Sequence, residues 1–487
     1  MLYSCYPVLS LTGPYERFSS FQDWNPFGTG NSWWEWHRKR KRRQAEQGTV
    51  HSIELSMIAD YSVWSKFLKF ANKDENKAYQ ELQQYYQFMA VMMDIRYQSV
   101  TERDPTLIIR IFPVSLIVTD IQEESVWTER NKVGQRYVES VYALYSLRDW
   151  VRAGRGVPKA DHTMLFSGLD LLGSGQDTST IGVAFIGTAC SYNSVSVIEE
   201  YFTGTTGSVS AHELGHSLDA EHDNNYRTCS DVSANVMSTQ AVFPTEVTAL
   251  SNPWKFSQCS VSAFGIFLDY FANCTQNVPE EYIETQEVGG VYFDADEQCR
   301  LAMGEGSYFC RSVQARKGFT NMCRRLYCYL PSEPGYCGSV IAAEYTVCGS
   351  QKWCYQGRCV KDSKAPLVPD SCPQGDEPGY QCTRDDCEAE KKVRDVLCCK
   401  TCGLSGQTNN DITRLNTTEG RAVPPSVAPP SSVPTTAETT TSSIAITTTS
   451  TTTAAATTSL RGRDNSSNDD NDYIDDESNE TRTELLV

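Results

Sequence analysis

The stretch His212-Glu213-Leu214-Gly215-His216-Ser217-Leu218-Asp219-Ala220-Glu221-His222-Asp223 places the tightest constraint on how this chain folds. The chain has six histidines in 487 residues, and three of them fall between 212 and 222. His212 and His216 stand four apart, so on a helix they project from one face, one turn apart. Glu213 follows the first, within reach of a water held on a metal. His222 lies beyond a helix end, so the chain must double back to bring it over the same face. Three imidazoles with a fourth position open to water form the donor set of a catalytic zinc site. The simpler alternative is a helix with three exposed or internally bonded histidines. Met237, in Asn235-Val236-Met237-Ser238, lies fifteen residues after His222. By itself a methionine reads as core filler.

Length and cysteine usage bound the rest. A chain this long exceeds a single core, so two or more domains are expected. The net charge of −18 argues against nucleic acid as a partner. Eighteen of the nineteen cysteines lie between Cys190 and Cys402, and the outlier is Cys5. An even, dense set reads as a disulfide framework made in an oxidising compartment, hence a secreted, extracellular protein. Zinc knuckles are the alternative, although Cys-x-x-Cys spacing occurs only at Cys399/Cys402. No run of eighteen apolar residues suggests a membrane span. No signal segment opens the sequence, so the expectation is an incomplete N-terminus.

Taken in order, residues 1–43 end in Arg38-Lys39-Arg40-Lys41-Arg42-Arg43. In a secreted precursor this reads as a propeptide remnant with a processing site after Arg43, Cys5 being a candidate latency thiol. Apolar patterning predicts strands over 52–59, 107–118, 161–166 and 181–187, and helices over 77–93 and 134–151. Strands alternating with helices predict an α/β fold around a twisted, mixed, largely parallel sheet. The histidine helix is expected over 209–218, after a turn at 203–208. Residues 287–365 carry eight cysteines, and 366–403 carry six more ending Cys398-Cys399-Lys400-Thr401-Cys402. Two small disulfide-rich modules are expected there, since so little chain builds little core. The 404–460 segment, dominated by Thr, Ser, Pro and Ala, reads as a mucin-like stalk. The acidic 461–487 tail is expected to be disordered. Glycosylation signals stand at Asn273, Asn416, Asn465 and Asn479.

The histidine motif together with Asn235-Val236-Met237-Ser238 resembles the metzincin metalloproteases, and its wording resembles the reprolysin branch, which includes the ADAM and ADAM-with-thrombospondin-motif proteases. The resemblance covers about 51–365. It implies zinc on His212, His216 and His222, Glu213 as general base, and Met237 as the hydrophobic floor of a Met-turn. It further implies an edge strand at 181–190 that pairs with substrate, and disulfides Cys190–Cys274 and Cys229–Cys259; spacing alone leaves three connectivities for these four. A structural calcium on Glu54, Asp161, Cys274 and Asn277 is also implied, though each carboxylate alone would more often be a solvated surface group. Residues 287–365 resemble the disintegrin-like and cysteine-rich module of the thrombospondin-motif proteases, and no thrombospondin repeat follows. One position departs from the pattern: Asp219 stands where the family has a glycine in a left-handed turn. Asp tolerates positive φ at modest cost. The expected function is a zinc-dependent endopeptidase acting on extracellular or matrix proteins. The alternative is an adhesion or matrix-binding protein that keeps the fold without turnover.

Overall fold

The computed structural model describes residues 49–154, 159–175, 177–240, 249–280, 282–283, 293–378, 380–388 and 390–405. Cys5, Arg43, Asn416, Asn465 and Asn479, with the stalk and tail, lie outside the described residues.

Strand β1 (Thr49–Ala59) runs through the middle of the first core. Its alternate residues Ile53, Leu55, Met57 and Ala59 enter one apolar cluster, while Ile58 enters another on the opposite face. Asp60 ends the strand and caps helix α1 (Tyr61–Phe70) by accepting from Val63 N at 3.0 Å. Helix α2 (Glu75–Gln98) extends the expected 77–93 helix at both ends. Strand β2 (Leu107–Val118) is a single strand carrying Pro113, tolerated because β2 lies at the sheet edge. Helix α3 (Ser140–Arg152) is preceded by the short strand Tyr137–Glu139, so helix begins later than the expected 134.

Three strands complete the sheet: β3 (His162–Ser167), β4 (Gly182–Ala184) and β5 (Val195–Glu199). The order is β2-β1-β3-β5-β4, parallel except for β4, which is antiparallel to β5 at the far edge. The expected mixed, largely parallel sheet is the one observed. Helix α3 covers one face, where Leu144 and Leu147 meet Leu165, Val183 and Val197. Helices α1 and α2, with α4 (Gly204–Ser217) and α5 (Gln258–Tyr270), cover the other.

Helix α4 starts five residues before the expected 209, and the stretch read as a turn forms its first turn and a half. Thr203 caps it by accepting from Thr205 N at 3.1 Å. Its glycines are tolerated because the helix packs tightly here: a β-carbon on Gly207 would lie 2.9 Å from Met92 Cβ.

From 293 onward the architecture changes. Helix α6 (Ala295–Met303) packs on the hairpin β6 (Leu326–Tyr329) and β7 (Cys337–Val340). A second small sheet joins β8 (Val347–Gly349), β9 (Lys352–Tyr355) and β10 (Arg358–Lys361). The eight cysteines between 299 and 359 close four bridges among themselves: 299–328, 310–337, 323–354 and 348–359. The six between 372 and 402 close three more: 372–399, 382–398 and 387–402. Cys399 and Cys402 are therefore each bonded in a disulfide, to Cys372 and Cys387 respectively, and are not thiolate ligands. Buried Arg311 joins the two groups, holding Asp296 in a two-pronged ion pair and donating to the carbonyls of Gln374 and Gly375.

Candidate metal centre

Helix α4 ends in a pair of reverse hydrogen bonds. Asp219 N donates to His216 O at 2.9 Å and Ala220 N to Gly215 O at 3.0 Å, with Asp219 at φ 71°. This is the Schellman ending that normally takes glycine. Asp219 adopts the left-handed geometry that the sequence called for. The turn then carries His222 back toward the helix.

The three imidazoles meet there, their ring centroids 4.7–5.2 Å apart. One ring nitrogen of each lies within 4.8 Å of the other two. His212 Nδ1 lies 2.7 Å from Val236 O, and His216 Nδ1 lies 2.7 Å from Ala220 O. A carbonyl only accepts, so each Nδ1 carries the proton and each Nε2 is left with its lone pair free for a cation. His212 Nε2 and His222 Nε2 stand 3.2 Å apart. Two nitrogens bound tetrahedrally to zinc at the usual bond length are separated by roughly 3.4 Å. The donor set and its spacing fit zinc.

Electrostatics point the same way. Burial pushes His212 down to about 3, helped by neighbouring His222. Burial likewise holds His216 and His222 below the ordinary histidine range. All three are thus kept neutral, the ligating form. Glu213 is buried beside Gly182 of edge strand β4, and burial raises its carboxyl to about 8.

The floor of the site explains two residue choices. Met237 is fully buried beneath α4, where a β-carbon on Gly215 would lie 2.6 Å from its sulfur. The same segment supplies the Val236 carbonyl that orients His212, so one turn serves both the floor and the ring. Asp223 had no role assigned from sequence. It donates its N–H to Met237 O at 2.9 Å, and its Oδ1 accepts from Ser257 at 2.6 Å and Ser260 at 3.3 Å. It ties the segment of the third histidine to Met237 and to the start of α5. Its position directly after His222 was the available signal.

A second cluster forms at the middle of β1. Asn277 Nδ2 donates to Glu54 Oε1 at 2.7 Å, and Asp161 Oδ2 accepts from Glu54 N at 2.9 Å. Asp161, Cys190 and Cys274 also converge. Burial and the nearby Glu54 charge raise Asp161 to about 6. Cys190 pairs with Cys274, and Cys229 with Cys259. Asn273 is exposed beside this bridge. Among the described residues, no helix is long and apolar enough to cross a membrane.

Comparison with known proteins agrees with this geometry. Residues 108–279 match the reprolysin (M12B) family of zinc metalloproteases, and 289–360 match ADAMTS cysteine-rich domain 2. The chain is 26% identical over 364 residues to "A disintegrin and metalloproteinase with thrombospondin motifs like" of Bombyx mori, covering 68% of this chain and 49% of that protein. It is 31% identical over 228 residues to "A disintegrin and metalloproteinase with thrombospondin motifs 18" of Homo sapiens, covering 45% of this chain and 18% of that protein. It is 33% identical over 199 residues to the Mus musculus protein numbered 12 in the same series, covering 39% and 11%. The chain thus spans half or less of the length of these relatives. Its histidine-bearing α/β half contains a reprolysin-type domain, matched over 108–279, and the disulfide-rich region after it an ADAMTS cysteine-rich domain, matched over 289–360.

Proposed function

We propose that the chain is a secreted zinc-dependent endopeptidase acting on extracellular or matrix proteins. The observation that carries this reading is the convergence of three neutral imidazoles beside one buried carboxylate. His212, His216 and His222 would hold Zn²⁺, which when bound polarises the scissile carbonyl and acidifies its water. In this reading Glu213 takes a proton from the attacking water and returns it to the leaving amine. Edge strand β4, next to Glu213, offers an unpaired strand edge on which an extended peptide can be held. The nine internal disulfides support an extracellular setting. We further assign Glu54, Asp161, Asn277 and the Cys274 carbonyl to a structural Ca²⁺, on the chemistry of their oxygen donors. Residues 44–280 form the catalytic domain in this reading, 287–365 and 366–403 the accessory modules, and Arg43 the processing site.

The test is cleavage of a proteome-derived peptide mixture by the full chain, with and without a chelator. Chelation abolishes cleavage, and Glu213→Ala keeps stoichiometric zinc while losing most turnover. Equal cleavage by Glu213→Ala and the parent would overturn the mechanism. A parent that binds zinc and cleaves nothing is the adhesion protein instead.

A further inference from the structure

Helix α4 carries two of the three candidate ligands and the base, yet its first turn rests on the cysteine-rich region. Gly204 N donates to Ile341 O at 3.2 Å. A β-carbon on Gly204 would lie 2.7 Å from Ile341 Cγ2 and 2.9 Å from Ala342 O, so the two backbones are in direct apposition. The apolar core runs through this junction without a break, with Phe293, Leu301 and Ala343 belonging to the same cluster as Leu214 and Met237.

Two buried titratable side chains lie behind the contact. Arg96 of α2 is 1% exposed; it donates to Met92 O at 2.8 Å, to Ser208 Oγ at 2.7 Å and, at the limit of bonding, to Gly204 O at 3.5 Å. It therefore grips the first turn of α4 by side chain and backbone. Glu344, 2% exposed, favours the Arg96 charge through space, though the two share no hydrogen bond or ion pair. Glu344 is held in turn by Gln356 N at 3.0 Å and by the Trp254 indole. Gly357 packs flat on that indole, and Arg358 donates to Ser251 at 3.0 Å. Burying two such groups in a protein interior is costly even when they attract each other through space. Solvent-facing residues would have served a passive spacer equally well.

We propose that residues 341–357 form a cradle that sets the axial position of α4, with Arg96 and Glu344 as positioning residues for the metal centre. The mechanical reason is that His212, Glu213 and His216 move as one body with the helix. His222 and the Val236 carbonyl belong to the following segments. A shift of α4 along its axis therefore separates two ligands from the third and loosens the His212 hydrogen bond. The inference rests on the zinc-site reading and deepens it.

The experiment uses the full chain with Co²⁺ as the metal probe, together with the parent's best-cleaved peptide from the mixture and hydrogen exchange of the Gly204–Ser208 amides. In Glu344→Ala, Co²⁺ affinity falls on the order of 10-fold, the scale of lost ligand orientation. The cobalt absorption bands shift, kcat drops with KM little changed, and exchange in the first turn of α4 accelerates. Glu344→Gln keeps an acceptor for Gln356 N and restores part of each effect. If Glu344→Ala does not fold, Glu344→Gln and Arg96→Lys carry the same comparison. Folded variants with unchanged cobalt affinity, spectrum and exchange would overturn the cradle. A parent that binds Co²⁺ yet cleaves nothing removes the peptidase reading, and affinity and exchange still decide the cradle.

Discussion

The α/β half and the disulfide-rich half hold themselves together by different means. In the first, 49–280 has two bridges, and the main apolar cluster contains no fully buried cysteine. In the second, 293–402 has seven bridges, and five of the eleven buried residues of its core are cysteines. Where chain length supports two layers on a sheet, burial of side chains supplies the stability and bridges supplement it. Where it does not, the bridge sulfurs are the core. The halves also differ in chemistry: every described histidine lies in the first.

The largest expected effect tests this directly. Cys229–Cys259 and Cys323–Cys354 close loops of nearly equal length, with sequence separations of 30 and 31. Chain entropy gives each ~3.7 kcal/mol. Replacing Cys323 and Cys354 by Ala removes most of what a small module has, so protection from hydrogen exchange over 293–361 is lost at 37 °C. The same replacement at Cys229 and Cys259 leaves the sheet protected and lowers its melting temperature by several degrees. Equal damage in both halves would erase the distinction.

Acid should act in the opposite sense. His162 is fully buried between Ser194 at 2.9 Å and Ser196 at 2.8 Å, and burial lowers its pKa to about 3. The unfolded chain binds this proton near 6.5 and the folded one does not, so the contribution is complete above 6.5 and falls as pH drops toward 3. The loss reaches about 3 kcal/mol by pH 4, at 1.36 kcal/mol per unit. His162→Gln should flatten the stability profile between pH 6.5 and 4 when parent and variant are compared by denaturant melts of the α/β half. The disulfide-rich half should show no such difference.

Asp219 gives the smallest effect. Glycine at φ 71° removes the left-handed strain of an L-residue, about 1 kcal/mol. Asp219→Gly should match or exceed the parent in melting temperature and zinc affinity, and Asp219→Val should be worse in both. A glycine variant that binds zinc less tightly would mean the carboxylate itself serves the site.

What was legible in the sequence follows from range. His212, Glu213 and His216 announce a helix and a donor set because their chemistry depends on spacing of one and four. The left-handed turn was legible because one residue type departs from a local geometric need. Helix α1 and strand β5 went unread, although Asp60 before Val63, Trp64 and Phe67 was an available start signal. The early start of α4 was hidden because Gly204 and Gly207 favour turns locally and are overruled by Ile341 and Met92. Arg96 and Glu344 were invisible: 248 positions apart, each looks like an ordinary solvated charge, and only the fold buries them together.

The left-handed turn after α4 also bears on how such a chain can vary. Glycine and aspartate codons differ by a single base, and aspartate is among the few side chains that accept positive φ. At position 219 the mutational step nearest to glycine is therefore also one that the backbone tolerates. Letters at this turn can drift while the path to His222 stays fixed, so a search for such sites by strict wording passes over chains whose geometry is intact.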